Sequence, residues 1–123
     1  MNEEDFDNWI TAYIDVYDNN GDRDENHPSY WAIERFVDLE AEFPEICWVA
    51  ILTIVAKNPS QRILDNLASG PMEELLELHG AEFIDRIEKE ARANPSFQNL
   101  LQSVWEITNK ALWERILRAR FDG

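Results

Sequence analysis

The chain has 123 residues, 45% hydrophobic and 29% charged, and its 11 Lys+Arg against 25 Asp+Glu leave a net charge of -14 at pH 7. A chain of this length buries roughly 65 to 70% of its unfolded surface, enough for one domain with a core and no metal or disulfide staples. Its 4 Gly and 5 Pro beside 6 Phe, 5 Trp and 3 Tyr exclude a fibrous or disordered class, and the charge excludes unaided binding to a nucleic-acid backbone and disfavours an anionic membrane.

One cysteine makes no intramolecular disulfide, and the start Met1-Asn2-Glu3-Glu4-Asp5 is not a signal peptide, so a cytoplasmic location is expected. The acidity is uneven. Residues 1–45 hold 14 acids and 2 bases (net -12), residues 46–90 hold 8 and 4 (net -4), and residues 91–123 hold 3 and 5 (net +2). A dense field of one sign steers a cationic partner.

The hydrophobic period is helical throughout. Phe6, Trp9, Ile10, Tyr13, Ile14 and Tyr17 follow the i, i+3, i+4, i+7 template and predict a helix from Glu4 to Asp18. The turn formers between Asp18 and Pro28 end it. A second helix is expected from Ser29, with Ala32, Ile33, Phe36, Val37 and Ala41 on its inward stripe. Pro44 opens a third, apolar from Ile46 to Ala56 except at Thr53 and too short to span a bilayer, which makes it the buried central helix.

Asn58-Pro59-Ser60 closes that helix and opens a short one over Gln61 to Ala68. Ser69-Gly70-Pro71 reads as a break with Pro71 at the first position of the next helix, and His79-Gly80 as that helix's end, with Gly80 a left-handed cap. Ala81 to Ala93 follows, laced by Glu82/Arg86, Asp85/Lys89, Arg86/Glu90 and Glu88/Arg92 at i, i+4, which reads as a solvated face. Asn94-Pro95 caps the next helix, with Phe97, Leu100, Leu101, Val104 and Trp105 as its stripe, and a phase slip near Thr108-Asn109 separates a final one. No strand pattern occurs. The expected fold is all-α, a single domain of seven or eight short helices in antiparallel pairs, closed into a bundle or stacked as a short solenoid.

Few residues form a chemical constellation. The loop Asp18, Asn20, Gly21, Asp22, Asp24 resembles an EF-hand, but aligning Gly21 to the required glycine puts Val16 and His27 where carboxylates are needed. His27, Cys47 and His79 lack zinc-site spacing, and no cofactor is expected. Trp9, Trp48 and Trp105 fall on core stripes, whereas Trp31 and Trp113 fall beside theirs; Trp31 follows Tyr30 directly after the acidic loop, and exposed Trp is a favoured interface anchor.

The string Leu67-Ala68-Ser69-Gly70-Pro71-Met72-Glu73-Glu74-Leu75-Leu76, then His79-Gly80, then Phe83-Ile84-Asp85-Arg86-Ile87-Glu88 and a closing Val104-Trp105 resembles the core of a small bacterial family known only as a domain of unknown function. Its members read L-A-x-G-P-L-E-D-L-L, H-G, F-I-x-x-[IV]-E and V-W. The resemblance covers about residues 48–105, leaves the acidic N-terminal third outside, and implies an all-helical bacterial protein with no established activity. If the motif marks a site, its candidates are Glu73, Glu74, His79, Asp85, Arg86 and Trp105.

The expectation is a non-enzymatic acidic binding protein of the immunity or antitoxin kind, masking a basic partner such as a toxin. Asp15, Asp18, Asp22, Asp24 and Glu25 would supply charge, and Tyr30 and Trp31 anchoring. The alternatives are a helical scaffold or adaptor, and a small-ligand or enzymatic domain centred on Glu73, His79 and Arg86.

Overall fold

The computed structural model describes residues 1–20 and 25–121, with the backbone alone for residues 18–20. The described residues form helices α1 (Glu3–Asn20), α2 (Trp31–Leu39), α3 (Pro44–Ala56), α4 (Gln61–Leu67), α5 (Glu73–Ala93), α6 (Pro95–Leu101) and α7 (Lys110–Phe121). A single π-helical turn, Ala68–Met72, joins α4 to α5. No strand occurs among them, and the fold is all-α.

Local chemistry sets most boundaries. Ser60 accepts the Ile63 amide at 3.4 Å at the start of α4, and Asn94 accepts those of Ser96 and Phe97 at 3.1 and 3.4 Å before Pro95. Asn58, at φ 54°, takes the left-handed turn after α3. The expected break near Thr108 is the irregular stretch before α7, and Asn109 receives the Leu112 amide at 3.1 Å there.

The break expected at Ser69-Gly70-Pro71 does not occur. Pro71 has no amide to donate and its ring crowds the carbonyl four residues back, so the backbone widens into the π-turn and continues straight into α5. His79-Gly80 does not end α5 either. His79 leaves helical geometry at φ -138°, ψ 21° and kinks the helix, which resumes at once. Gly80 is no left-handed cap; its need for a missing side chain comes from α7, because a Cβ there would stand 2.6 Å from Leu112 Cδ1.

Helix α3 touches α1, α2, α5 and α6, while α7 lies along α5 and α6. Contacts between helices so far apart in sequence close the chain into a bundle rather than an open solenoid. Trp9 anchors the first half: its indole N–H donates to the Ala32 carbonyl at 2.9 Å, and its ring lies 4.7 Å from that of Phe36. Trp48 anchors the second, 5.8 Å from Phe83 and 5.6 Å from Phe97.

Four expectations about the core are corrected. Helix α3 is not fully buried, since Val49 is exposed on it; of the stripe expected for α2, Val37 is exposed, and Ala41 lies beyond the end of that helix and is exposed too. Trp105 is 75% exposed, because α6 stops at Leu101 and the chain turns before the stripe reaches it. Trp113 is partly buried against the core with the Arg120 guanidinium 4.8 Å over its ring.

Candidate functional site

A cleft of about 420 Å³ opens between α1, α2, the π-turn and the first turn of α5. Tyr13 and Tyr17 line it from α1, Ile33, Phe36 and Val37 from α2, Asn66 from α4, and Ser69, Gly70 and Pro71 from the π-turn. Glu40 and Glu74 complete the lining. Glu40 follows the last residue of α2, seven positions on from Ile33, and so continues that helix's inward face. Glu74 projects from α5 because the π-turn carries the helix through without a break.

Among the described residues no Lys, Arg or His pairs with Glu40 or Glu74, and none lines the cleft. Burial first, and the neighbouring Glu74 second, push the Glu40 carboxyl up to about 7. The nearby Cys47 thiol, raised to about 12 chiefly by burial and further by Glu40, stays protonated and non-nucleophilic.

His79 ties the cleft's edge to α5. Its Nε2 lies 3.0 Å from the carbonyl oxygens of both Glu40 and Ala41, the unsatisfied acceptors at the end of α2. The kink in α5 thereby holds the backbone that carries the Glu40 carboxyl.

The residues predicted around the acidic loop lie elsewhere. Asp15 accepts the Ser29 hydroxyl at 3.3 Å and stands 3.8 Å from His27 Nε2, fastening the start of α2 to α1. Glu25 is exposed, Tyr30 is half-buried, and Trp31 is 37% exposed with the Arg35 guanidinium 4.7 Å over its ring. On a helix of 3.6 residues per turn Trp31 stands roughly 200° round from Ile33, so it faces away from the cleft. Asp22 and Asp24, and the side chain of Asp18, lie outside the described residues.

The motif candidates separate as well. Glu73, raised by burial, accepts the Trp105 amide at 3.4 Å. Arg86 reaches Glu45 of α3 through both terminal nitrogens, at 2.5 and 3.0 Å, and lies 4.8 Å over the Phe83 ring. Asp85 and Glu88 grip Arg115 of α7 at 2.6 and 2.5 Å. Of the residues expected to pair along α5 at i, i+4, Asp85, Arg86 and Glu88 thus pair with other helices instead. Glu73, His79 and Arg86 each engage a different part of the chain: the Trp105 amide, the carbonyls of Glu40 and Ala41, and the Glu45 carboxylate. Of the motif, only Glu74 and the Ser69-Gly70-Pro71 turn enter the cleft.

Sequence reasoning missed Glu40, Asn66 and the tyrosine faces. A carboxylate continuing the inward stripe Ile33, Phe36 was the available signal for Glu40. Tyr13 and Tyr17 are buried like core residues, and nothing in their spacing separates packing from lining.

The family model of DUF6869, a family of unknown function, matches residues 19–122. The chain belongs to this family. The DUF6869 match takes in α2 and with it Glu40, so the domain extends well beyond the resemblance over 48–105 and includes much of the acidic N-terminal third. No curated protein and no solved structure matches the chain. Among the described residues no group of three or more His, Cys, Asp or Glu could hold a metal ion, and no helix is long and apolar enough to cross a membrane.

Proposed function

We propose that the chain is a non-enzymatic binding protein of the bacterial cytoplasm that captures a basic partner protein, as an immunity protein or antitoxin covers a toxin. One observation carries the reading: Glu40 and Glu74 face the same cleft, and among the described residues no base pairs with either or lines that cleft. Like charges around one cavity destabilise the free protein and are relieved by a cation from outside. The net charge of -14, most of it in residues 1–45, draws such a partner in, and exposed Trp31 supplies an anchor on a second face.

The test is calorimetric titration with the purified product of the neighbouring gene. Binding that weakens with added salt and falls at least tenfold on Glu40→Lys or Glu74→Lys is expected. A complex that ignores both charge reversals, or no complex at all, overturns the proposal.

A second reading, a helical scaffold, is favoured by a groove of about 360 Å³ lined by Met1, Phe6, Ile46 and Val49. It predicts instead that Val49→Asp abolishes assembly while the cleft variants leave it intact.

A further inference from the structure

We propose that the cleft between α1, α2 and the π-turn is a binding site for one primary alkylammonium group, the side chain of a lysine, held between Glu40 and Glu74. The inference rests on the binding reading above and names what the basic partner inserts.

The lining matches this group in each of its parts. An ammonium has three donors and no acceptor, so it needs acceptors spread around it. Glu40 and Glu74 offer carboxylates from two different elements, and Asn66 and Ser69 add neutral oxygens. The four-carbon stem needs an apolar wall, which Ile33, Val37 and Pro71 provide. The aromatic rings of Tyr13, Tyr17 and Phe36 favour a cation further. The cavity, about 420 Å³, lies in the range of small-ligand sites, about 300 to 1,000 Å³.

Competing ligands fit less well. A guanidinium is a planar fork that pairs best in plane with one carboxylate, whereas here the two carboxylates come from separate segments, one just past the end of α2 and one on α5. Calcium takes six to eight oxygens in a closed cage, and among the described residues no group of three or more His, Cys, Asp or Glu could hold a metal ion. An anion would meet the carboxylates of Glu40 and Glu74 and, among the described lining residues, no base.

The π-turn is what assembles the site. It places Ser69, Gly70 and Pro71 in the wall while keeping α5 in line to deliver Glu74, and π-turns inside helices concentrate at functional positions. At Gly70 a Cβ would meet nothing within 4 Å, so the wall is open there.

Entry of an ammonium must also displace a proton. In the free protein the Glu40 carboxyl titrates at about 7. The titratable groups set round it are Glu74 and His79 of α5, Tyr13 and Tyr17 of α1 and Cys47 of α3, none of which brings a positive side chain into the cleft. A bound cation lowers the Glu40 carboxyl, so binding releases a proton and tightens as pH rises from 6 to 8.

The experiment titrates the full chain with n-butylammonium at constant ionic strength, following amide and carboxyl NMR signals. Saturable shifts are expected at Glu40 and at Ser69 to Glu74, with affinity rising several-fold from pH 6 to 8. Glu40→Gln and Glu74→Gln should each weaken binding about tenfold, the loss of one charged partner. In the unmutated chain, saturating amine should lower the Glu40 midpoint by about one pH unit, a readout that needs no variant to fold.

Shifts that never saturate, a Glu40 midpoint that does not move, or an affinity in both Gln variants unchanged from that of the unmutated chain overturns the site. Tighter binding of n-butylguanidinium overturns the choice of ammonium. Failure of the amine alongside salt-sensitive, charge-dependent capture of a basic protein removes this site and leaves the partner reading standing. Amine binding with no such capture does the reverse.

Discussion

A Cβ placed on Gly80 of α5 would stand 2.6 Å from Leu112 Cδ1 of α7. Gly80 is therefore a contact point between two helices rather than a turn. Gly80→Ala gains helix propensity but overpacks this contact, with a net cost on the order of 1 kcal/mol. In a Leu112→Ala background the clash is absent, and the same substitution should become neutral or stabilising. Urea unfolding of the four proteins checks this, and an equal cost in both backgrounds refutes it.

The carboxyl of Glu40 makes the protein's stability depend on pH in a particular direction. An unfolded Glu releases its proton near 4.5, while the folded protein holds this one to about 7. Between those values the folded state binds more protons, so the group's contribution is fully present below about 4.5 and is lost as pH rises through 7. Glu40 is partly solvated, which screens the loss to about 1 kcal/mol. Glu40→Gln should therefore be the more stable protein at pH 8 and show the smaller decline from pH 5 to 8. Parallel stability curves for the two proteins would contradict the assignment.

Arg115 links α7 to α5 by meeting Asp85 at 2.6 Å and Glu88 at 2.5 and 3.0 Å. The paired guanidinium holds the Glu88 carboxyl below the usual carboxylate range, so this contribution is present at neutral pH and is lost as pH falls through that lowered value. A double-mutant cycle on Arg115→Ala and Glu88→Ala should show favourable coupling that vanishes in acid. The i, i+4 pair Glu82 and Arg86 should show less, since Arg86 is engaged with Glu45. Equal coupling in the two cycles would favour the local pairing pattern.

Trp105 is exposed and Trp9 is fully buried. Trp105→Ala should cost under about 0.5 kcal/mol, against about 3 to 5 kcal/mol for Trp9→Ala. Loss of Trp105 should also remove most of the acrylamide-quenchable fluorescence. A large unfolding penalty at Trp105 would show that it packs in solution.

The sequence by itself determined the all-helical class, the extent of α1 and α3, and the starts of α4 and α6. The last two are written locally: Ser60 and Asn94 cap amides two or three residues away. Amphipathic period is equally short-ranged, so Trp9 and Trp48 were legible as core. Trp105 continued a stripe in sequence that the chain had already left in space, because α6 ends at Leu101. Only the tertiary structure decided that α4 runs through Pro71 into α5, that His79 kinks α5 to reach the end of α2, and that Arg86 pairs with Glu45, 41 residues away. It also brought together Tyr13, Glu40 and Glu74, from three elements, around one cleft. Each of these is a competition between a local partner and a distant one, and packing settles it, since a side chain takes the distant partner only where the fold has already brought that partner within reach.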